Sequence, residues 1–171
     1  MFDPKRCFLV TCIGCGLLLV AACDPQDRRP GLWLRGEVVD TPVSDWSFTN
    51  TIGEIFVETR TWYLVPHSVT TVCVAQDGML YVPSVYLEGG EFPDARAWNR
   101  NVVRDPRVRL EIDDRIYERK AVLVEDATEW DAVFAAFGRK SEFWKGLGEK
   151  PEAERPRIVF FRMEPRDDPA A

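Results

Sequence analysis

Apolar and polar residues fall into two recurring patterns along this chain. In Arg107–Ile112 (RVRLEI), Val108, Leu110 and Ile112 share one side, and Arg107, Arg109 and Glu111 share the other. That period of two predicts a half-buried antiparallel strand. Asp113 and Asp114 then make a tight turn, and RIYERKAVLVE returns from Arg115 as a longer strand. Upstream, residues 54–60 (EIFVETR) and 68–75 (SVTTVCVA) are rich in β-branched residues and read as two more strands. Residues 76–78 (QDG) form a hairpin turn, with Gly78 supplying a positive φ. MLYVPS follows as a short strand whose pairing ends at Pro83. RIVFFRM, from Arg157 to Met163, is the last strand.

The second pattern has the helical period. Trp130, Val133, Phe134 and Phe137 fall at i, i+3, i+4 and i+7, an apolar stripe along one helix. Asp126 and Glu129 form a capping box before it, and Gly138 ends it. An earlier helix is predicted over residues 94–105 (DARAWNRNVVRD), with Asp94 as N-cap and Pro106 as terminator. Ala97, Asn101 and Arg104 share one side of it; Trp98 and Val102 share another. Six strands, one helix between the third and fourth and another before the last describe a mainly β, α+β domain. A small antiparallel barrel flanked by two helices fits that order. No internal repeat is visible.

The N-terminus breaks both patterns. Lys5 and Arg6 precede residues 7–22, which carry no charge, the layout of a secretory signal peptide. As a helix that run would span roughly 24 Å, short of the ~30 Å hydrocarbon core of a bilayer. Val20-Ala21-Ala22-Cys23 resembles the bacterial lipobox. The resemblance implies that a diacylglyceryl group is attached to the Cys23 thiol and that the leader is cut just before it. The alternative is a chance cysteine after an ordinary leader. Asp24 next to Cys23 resembles lipoproteins that stay in the inner membrane, which implies a periplasm-facing domain. The expected organisation is signal peptide 1–22, lipid-anchored tether 23–35, barrel 36–165 and disordered tail 166–171.

The chain has five cysteines. If the leader leaves and Cys23 carries lipid, only Cys73 remains in the domain, and no intramolecular disulfide can form. The CIGC spacing lies inside the membrane-inserting segment, which removes a redox reading. Cys73 sits in an alternating segment and reads as a small buried hydrophobe. Lys and Arg number 22 against 28 Asp and Glu, a net charge of −6. Losing residues 1–22 makes the remainder more acidic, which argues against a nucleic-acid partner. His67 is the one histidine, and no zinc-binding spacing exists. It is either a general base near neutral pH or a hydrogen-bonded residue at a strand edge.

From Ala97 to Val124 the chain reads AWNRNVVRDPRVRLEIDDRIYERKAVLV. This resembles the middle of the split β-barrel superfamily, which includes pyridoxamine-phosphate-oxidase-like flavoproteins and deazaflavin-dependent nitroreductases. Trp98, Asn101, Pro106, Val108, Tyr117 and Ala121 carry the likeness, with DGMLYVPS and GGEFPDARAW ahead of them. The resemblance covers about residues 54–140 and implies a six-stranded antiparallel split barrel, FMN or a deazaflavin as cofactor, and a homodimer. It brings Arg60, Ser68, Gly89, Gly90, Trp98 and Asn101 near that cofactor.

The chain departs from the family at one place. Deazaflavin-binding relatives carry a basic, glycine-flanked GRKSG-like turn after the first strand, and ETRTWYLVPHS stands there instead. Arg60 is kept; the glycines and lysine are not. A GRKS at residues 138–141 follows the second helix and reads as a helix C-cap. Other residues also admit two readings. Arg96, Arg100 and Arg104 recur every four residues, either as a phosphate-binding stripe or as a solvated face paired with Glu91, Asp94 and Asp105. Trp98 stacks on a ring or packs in the core. Ser68, Thr70 and Thr71 line a pocket or are ordinary strand residues. Gly89-Gly90 cradles a phosphate or turns the chain into the helix. Two functions stay open: a flavin- or deazaflavin-dependent oxidoreductase, and a cofactor-free envelope lipoprotein that binds a small ligand or a protein partner.

Overall fold

The computed structural model describes residues 31–166, apart from residues 32 and 88. The leader, Cys23, Asp24, the tether up to residue 30 and the tail from 167 lie outside the described residues. Eight strands follow in order: β1 (Glu37–Val38), β2 (Ile55–Arg60), β3 (Pro66–Thr71), β4 (Val74–Gln76), β5 (Met79–Tyr86), β6 (Arg107–Ile112), β7 (Arg115–Leu123) and β8 (Arg157–Pro165). Three helices interrupt them: α1 (Ala97–Arg104), α2 (Ala127–Lys140) and α3 (Glu142–Glu149).

Two tight turns fix much of the register. Asp77 and Gly78 take φ of 51° and 77° between β4 and β5; Asp113 and Asp114 take 52° and 60° between β6 and β7. Left-handed backbone at both central residues gives a turn whose twist matches its flanking strands. The β6–β7 pair runs from Arg107↔Lys120 to Ile112↔Arg115.

The sheet order is β3-β2-β6-β7-β8-β5-β4, with β1 added in parallel to β7. Only Val72 and Cys73 separate β3 from β4, so the two ends of the sheet are consecutive pieces of chain. A sheet with that property must curl on itself into a barrel. The single strand expected over 68–75 is thus two strands with different neighbours. That break and the short β1 raise six expected strands to eight. β4 reaches β5 only opposite Met79 to Tyr81. From Val82 onward β5 has β8 on one side and no strand on the other. Pro83 is tolerated there because no second ladder needs its N–H, and β5 runs past it to Tyr86.

Alternation along the strands supplies two cores. Phe160 and Phe161 are adjacent, so they point to opposite faces. Phe161 belongs to the barrel interior with Leu80, Val82, Leu110 and Met163, and Trp98 and Val102 of α1 plug one end. Phe160 faces outward into a second core under α2 and α3, with Val133, Phe137, Trp144 and Leu147. Phe137 stacks on Trp144 at 4.5 Å between ring centroids and on Phe160 at 5.5 Å.

The helix ends differ from the sequence expectation. α1 begins at Ala97, with Arg96 in extended conformation at its N-cap; Asp94 lies in the turn before it. Asp126 does cap α2, accepting a bond from the Glu129 N–H at 2.8 Å. The Glu129 carboxylate accepts from Tyr81 and Arg162. α2 passes Gly138 and stops at Lys140; Ser141 separates it from α3, a third helix that the sequence reading did not foresee. The residues before β1 pack as well. Leu34 is buried, and its N–H donates to Glu58.

Candidate functional site

The open seam between β3 and the far half of β5 forms a groove of about 430 Å³. One wall is Val69, Thr70, Thr71 and Val72; the other is Pro83, Ser84 and Val85. Trp98 forms the floor, its indole 5.2 Å from the Phe161 ring. The α2–α3 junction closes the groove with Ser141, Phe143 and Trp144, and Leu87 and Arg96 complete the rim. Phe143 and Leu87 are exposed. The Arg96 guanidinium lies 5.6 Å over the Tyr86 ring and donates to the Val85 carbonyl.

Behind the Ser84 wall, fully buried Asn99 donates from Nδ2 to Ser84 Oγ at 2.8 Å and to Tyr86 Oη at 2.5 Å. Its Oδ1 has no hydrogen-bond partner among the described residues. Ligand sites are mostly apolar clefts of ~300–1,000 Å³ with a few polar groups. An aromatic floor, an aromatic side wall and one cation at the rim therefore fit a flat heteroaromatic ring with an anionic edge.

A second cleft, of about 160 Å³, lies on the outer face of β2, β6 and β7. It is richer in charge, but its charges bind one another. Arg109 Nη1 lies 3.4 Å from the buried Glu58 carboxylate and its Nε 3.6 Å from Glu118. Arg166 pairs with Glu118 at 3.0 Å and donates to the Val108 carbonyl at 2.7 Å. Arg107 holds the Asp105 carboxyl below the usual carboxylate range through a 2.8 Å hydrogen bond. With Arg109 also donating to the Leu34 carbonyl at 3.2 Å, the cleft is a clamp on both ends of the described chain.

The six residues that the resemblance grouped lie apart. Trp98 lines the groove. Arg60 ends β2, exposed, at the edge of the charged cleft, and its carbonyl accepts from Arg104. Ser68 is buried on β3; its Oγ accepts from the Gly31 N–H at 3.0 Å and its own N–H donates back to Gly31 at 3.4 Å. Asn101 donates to Thr59 Oγ1 at 3.0 Å and accepts from Arg104 at 3.4 Å. Gly89 and Gly90 turn the chain toward α1 with φ of 80° and 101°.

The arginine stripe has a third role that neither reading gave it: Arg96, Arg100 and Arg104 donate to the carbonyls of Val85, Asp94 and Arg60. His67 is exposed on β3. Cys73 is fully buried, as its alternation predicts, and burial raises its pKa. Lys140 donates to the carbonyls of Cys73 at 2.6 Å and Thr49 at 2.8 Å. The sequence reading missed Leu87, Phe143 and Trp144. The adjacent Phe143 and Trp144 of EFWKGLGE are the signal that could have found the last two.

No protein-family model matches the chain, and no curated protein matches it. Solved structures do. HutZ, the heme storage protein of Vibrio cholerae, superposes with a TM-score of 0.51 at 18% identity, over 71% of this chain and 87% of HutZ. The conserved hypothetical protein Rv2991 of Mycobacterium tuberculosis gives 0.53 at 17% identity, over 78% and 86%.

This is a split β-barrel.

An F420-H2 dependent reductase (FDR-A) aligns more loosely, with a TM-score of 0.46 at 17% identity over 71% of this chain and 98% of that one. At such identities the likeness is one of fold. In this barrel the groove occupies the seam where β3 and the far half of β5 part. Among the described residues, no group of His, Cys, Asp and Glu is arranged to hold a metal ion. No helix among them is long and apolar enough to cross a membrane.

Proposed function

We propose that this split barrel is the periplasm-facing domain of an inner-membrane lipoprotein and holds a flavin-class cofactor in the groove between β3 and β5. The observation that carries the cofactor is the groove itself: about 430 Å³, floored by Trp98, walled by Phe143 and Trp144, with the Arg96 cation at its rim. A bound flavin or deazaflavin would supply hydride transfer there. Trp98 and Trp144 would exclude water from the ring, Arg96 would meet an anionic side chain, and Thr70, Thr71 and Ser141 would offer hydroxyls. The signal-like leader and the lipobox-like run ending at Cys23 support the anchor, and Asp24 supports the inner membrane. A homodimer closing over the groove would cover Leu87 and Phe143, both exposed in the single chain.

HutZ is described as a heme storage protein. Heme is disfavoured for this groove, because none of its lining residues is a His, Cys, Met or Tyr able to ligate iron. Two observations favour the cofactor-free reading: the Ser68 hydroxyl is committed to Gly31, and Arg60 lies outside the groove. Among the described residues lining the groove, Arg96 is the one cation.

The test is the visible spectrum of protein purified from its host, followed by titration with FMN. A flavin band, or quenching of FMN emission that saturates near one equivalent, is expected. Arg96→Gln and Phe143→Ser should each weaken FMN binding by about tenfold, the loss of one charge-assisted or apolar contact. A colourless protein that leaves FMN and deazaflavin emission unchanged would establish the cofactor-free reading instead.

A further inference from the structure

The loop between β2 and β3 carries four consecutive exposed apolar residues: Trp62 (78% exposed), Tyr63 (52%), Leu64 (72%) and Val65 (40%). Few soluble surfaces present so dense a tip. The loop is built rather than slack. The Thr61 N–H and Oγ1 both donate to the Val65 carbonyl, at 3.3 and 2.7 Å. The Leu64 N–H returns to the Thr61 carbonyl at 3.1 Å, which holds Leu64 at a φ of 65°. The Trp62 and Tyr63 rings meet edge to face at 5.3 Å. The backbone thus holds these side chains outward.

Two further observations say what the tip meets. The first is charge. Arg60 stands at the loop's base, exposed, and the equally exposed Arg104 donates to the Arg60 carbonyl. The nearby acid, Asp105, is held by Arg107 through two 2.8 Å bonds. An acidic chain of net charge −6 therefore shows an anionic surface two cations beside an aromatic tip. Tryptophan and tyrosine above a cationic collar is the composition of protein segments seated at a bilayer interface.

The second is where the N-terminal segment joins the barrel. Gly31 bonds to Ser68 in both directions, and Ser68 lies three residues beyond Val65 on β3. Cys23 is eight residues before Gly31, a contour of at most about 28 Å. A lipid on Cys23 would therefore reach a bilayer from the same end of the barrel as the loop.

We infer that the Trp62–Val65 loop is a membrane foot: its tip enters the headgroup layer of a bilayer containing anionic phospholipid, with Arg60 and Arg104 on the phosphates. The inference rests on the proposed envelope address but not on the groove's cofactor. The lipid supplies attachment; the foot fixes which side of the barrel faces the bilayer.

The test uses the chain from residue 24, which keeps all of the described fold at 31–166 and has no lipid. It is floated with vesicles of phosphatidylethanolamine and phosphatidylglycerol, and with vesicles of phosphatidylcholine. The parent chain should float with the first. A Trp62→Ser/Leu64→Gly double variant should lose about tenfold or more of its partitioning. Glycine suits the left-handed φ at residue 64, so the variant keeps its fold, as circular dichroism will report. Arg60→Gln/Arg104→Gln should abolish the preference for phosphatidylglycerol.

A parent chain that stays unbound, or a double variant that floats equally well, overturns the inference. So does a double variant whose change in sedimentation velocity is the loss of a dimer, because the loop then covers a second copy. The intact mass of the N-terminal peptide of the full chain, taken from host membranes, reports the lipid separately. An acylated chain with a vesicle-blind loop removes the foot and keeps the lipoprotein. An unacylated chain that still floats does the reverse.

Discussion

Tyr81 leaves β5 on its outer face and donates its hydroxyl to Glu129 of α2 at 2.8 Å; Arg162 of β8 donates to the same carboxylate at 2.6 and 2.8 Å. Burial, reinforced by the bond to Glu129, pushes the Tyr81 phenol up to about 12 from an ordinary 10. A raised folded-state value means that the fold favours the protonated phenol. The associated stability is complete below pH ~10 and is lost as pH rises through about 12. Between those values the parent should lose unfolding free energy faster than Tyr81→Phe, which denaturant titrations at stepped alkaline pH will show. The two loop glycines separate strain from crowding. At Gly90, φ is 101° and an added Cβ would lie 2.5 Å from the Ala95 Cβ; at Gly89, φ is 80° and nothing lies within 4 Å. Gly89→Ala should cost about 1 kcal/mol, and Gly90→Ala should cost about 1–3 kcal/mol more, measured by urea unfolding.

Among the elements, β8 faces both cores at once. Phe160→Ala and Phe161→Ala should each destabilise by about 3–5 kcal/mol, but with different signatures. Losing Phe160 strips the ring stacked on Phe137 and tilted against Trp144, so amide exchange should quicken in α2 and α3. Losing Phe161 removes the partner of Trp98, so exchange should quicken in α1. These elements were legible to unequal degrees. Period two located the strands because one face of each is buried, and the Asp113-Asp114 and QDG turns gave their pairing. The break at Val72-Cys73 was hidden, because an unbroken β-branched run does not say that its halves belong to different neighbours. α3 was hidden by Gly146 and Gly148, poor helix formers that Trp144 and Leu147 override by burial. The groove was least legible. Its walls come from residues 69 to 144, on four elements that only the folded barrel brings together. Trp98, Thr70, Thr71 and Arg96 were readable as candidates one by one, but not as walls of one groove.

At the scale of the molecule, one sheet separates the two aromatic cores, so neither helices nor barrel can loosen alone without exposing shared strands. A single unfolding transition is expected, with fluorescence and far-ultraviolet dichroism coincident. The same sheet carries the groove at its seam, and the β2–β3 loop extends from β3, which forms one groove wall.

Only two residues link Thr71 of β3 to Val74 of β4, a step of at most about 11 Å, and β4 is paired with β5 at Met79–Tyr81, so the two walls of the slot stay tied at that end. A guest therefore cannot gain room by parting the barrel there. For the proposed cofactor, admission would fall to the side chains at the rim, where Phe143 and Leu87 stand exposed.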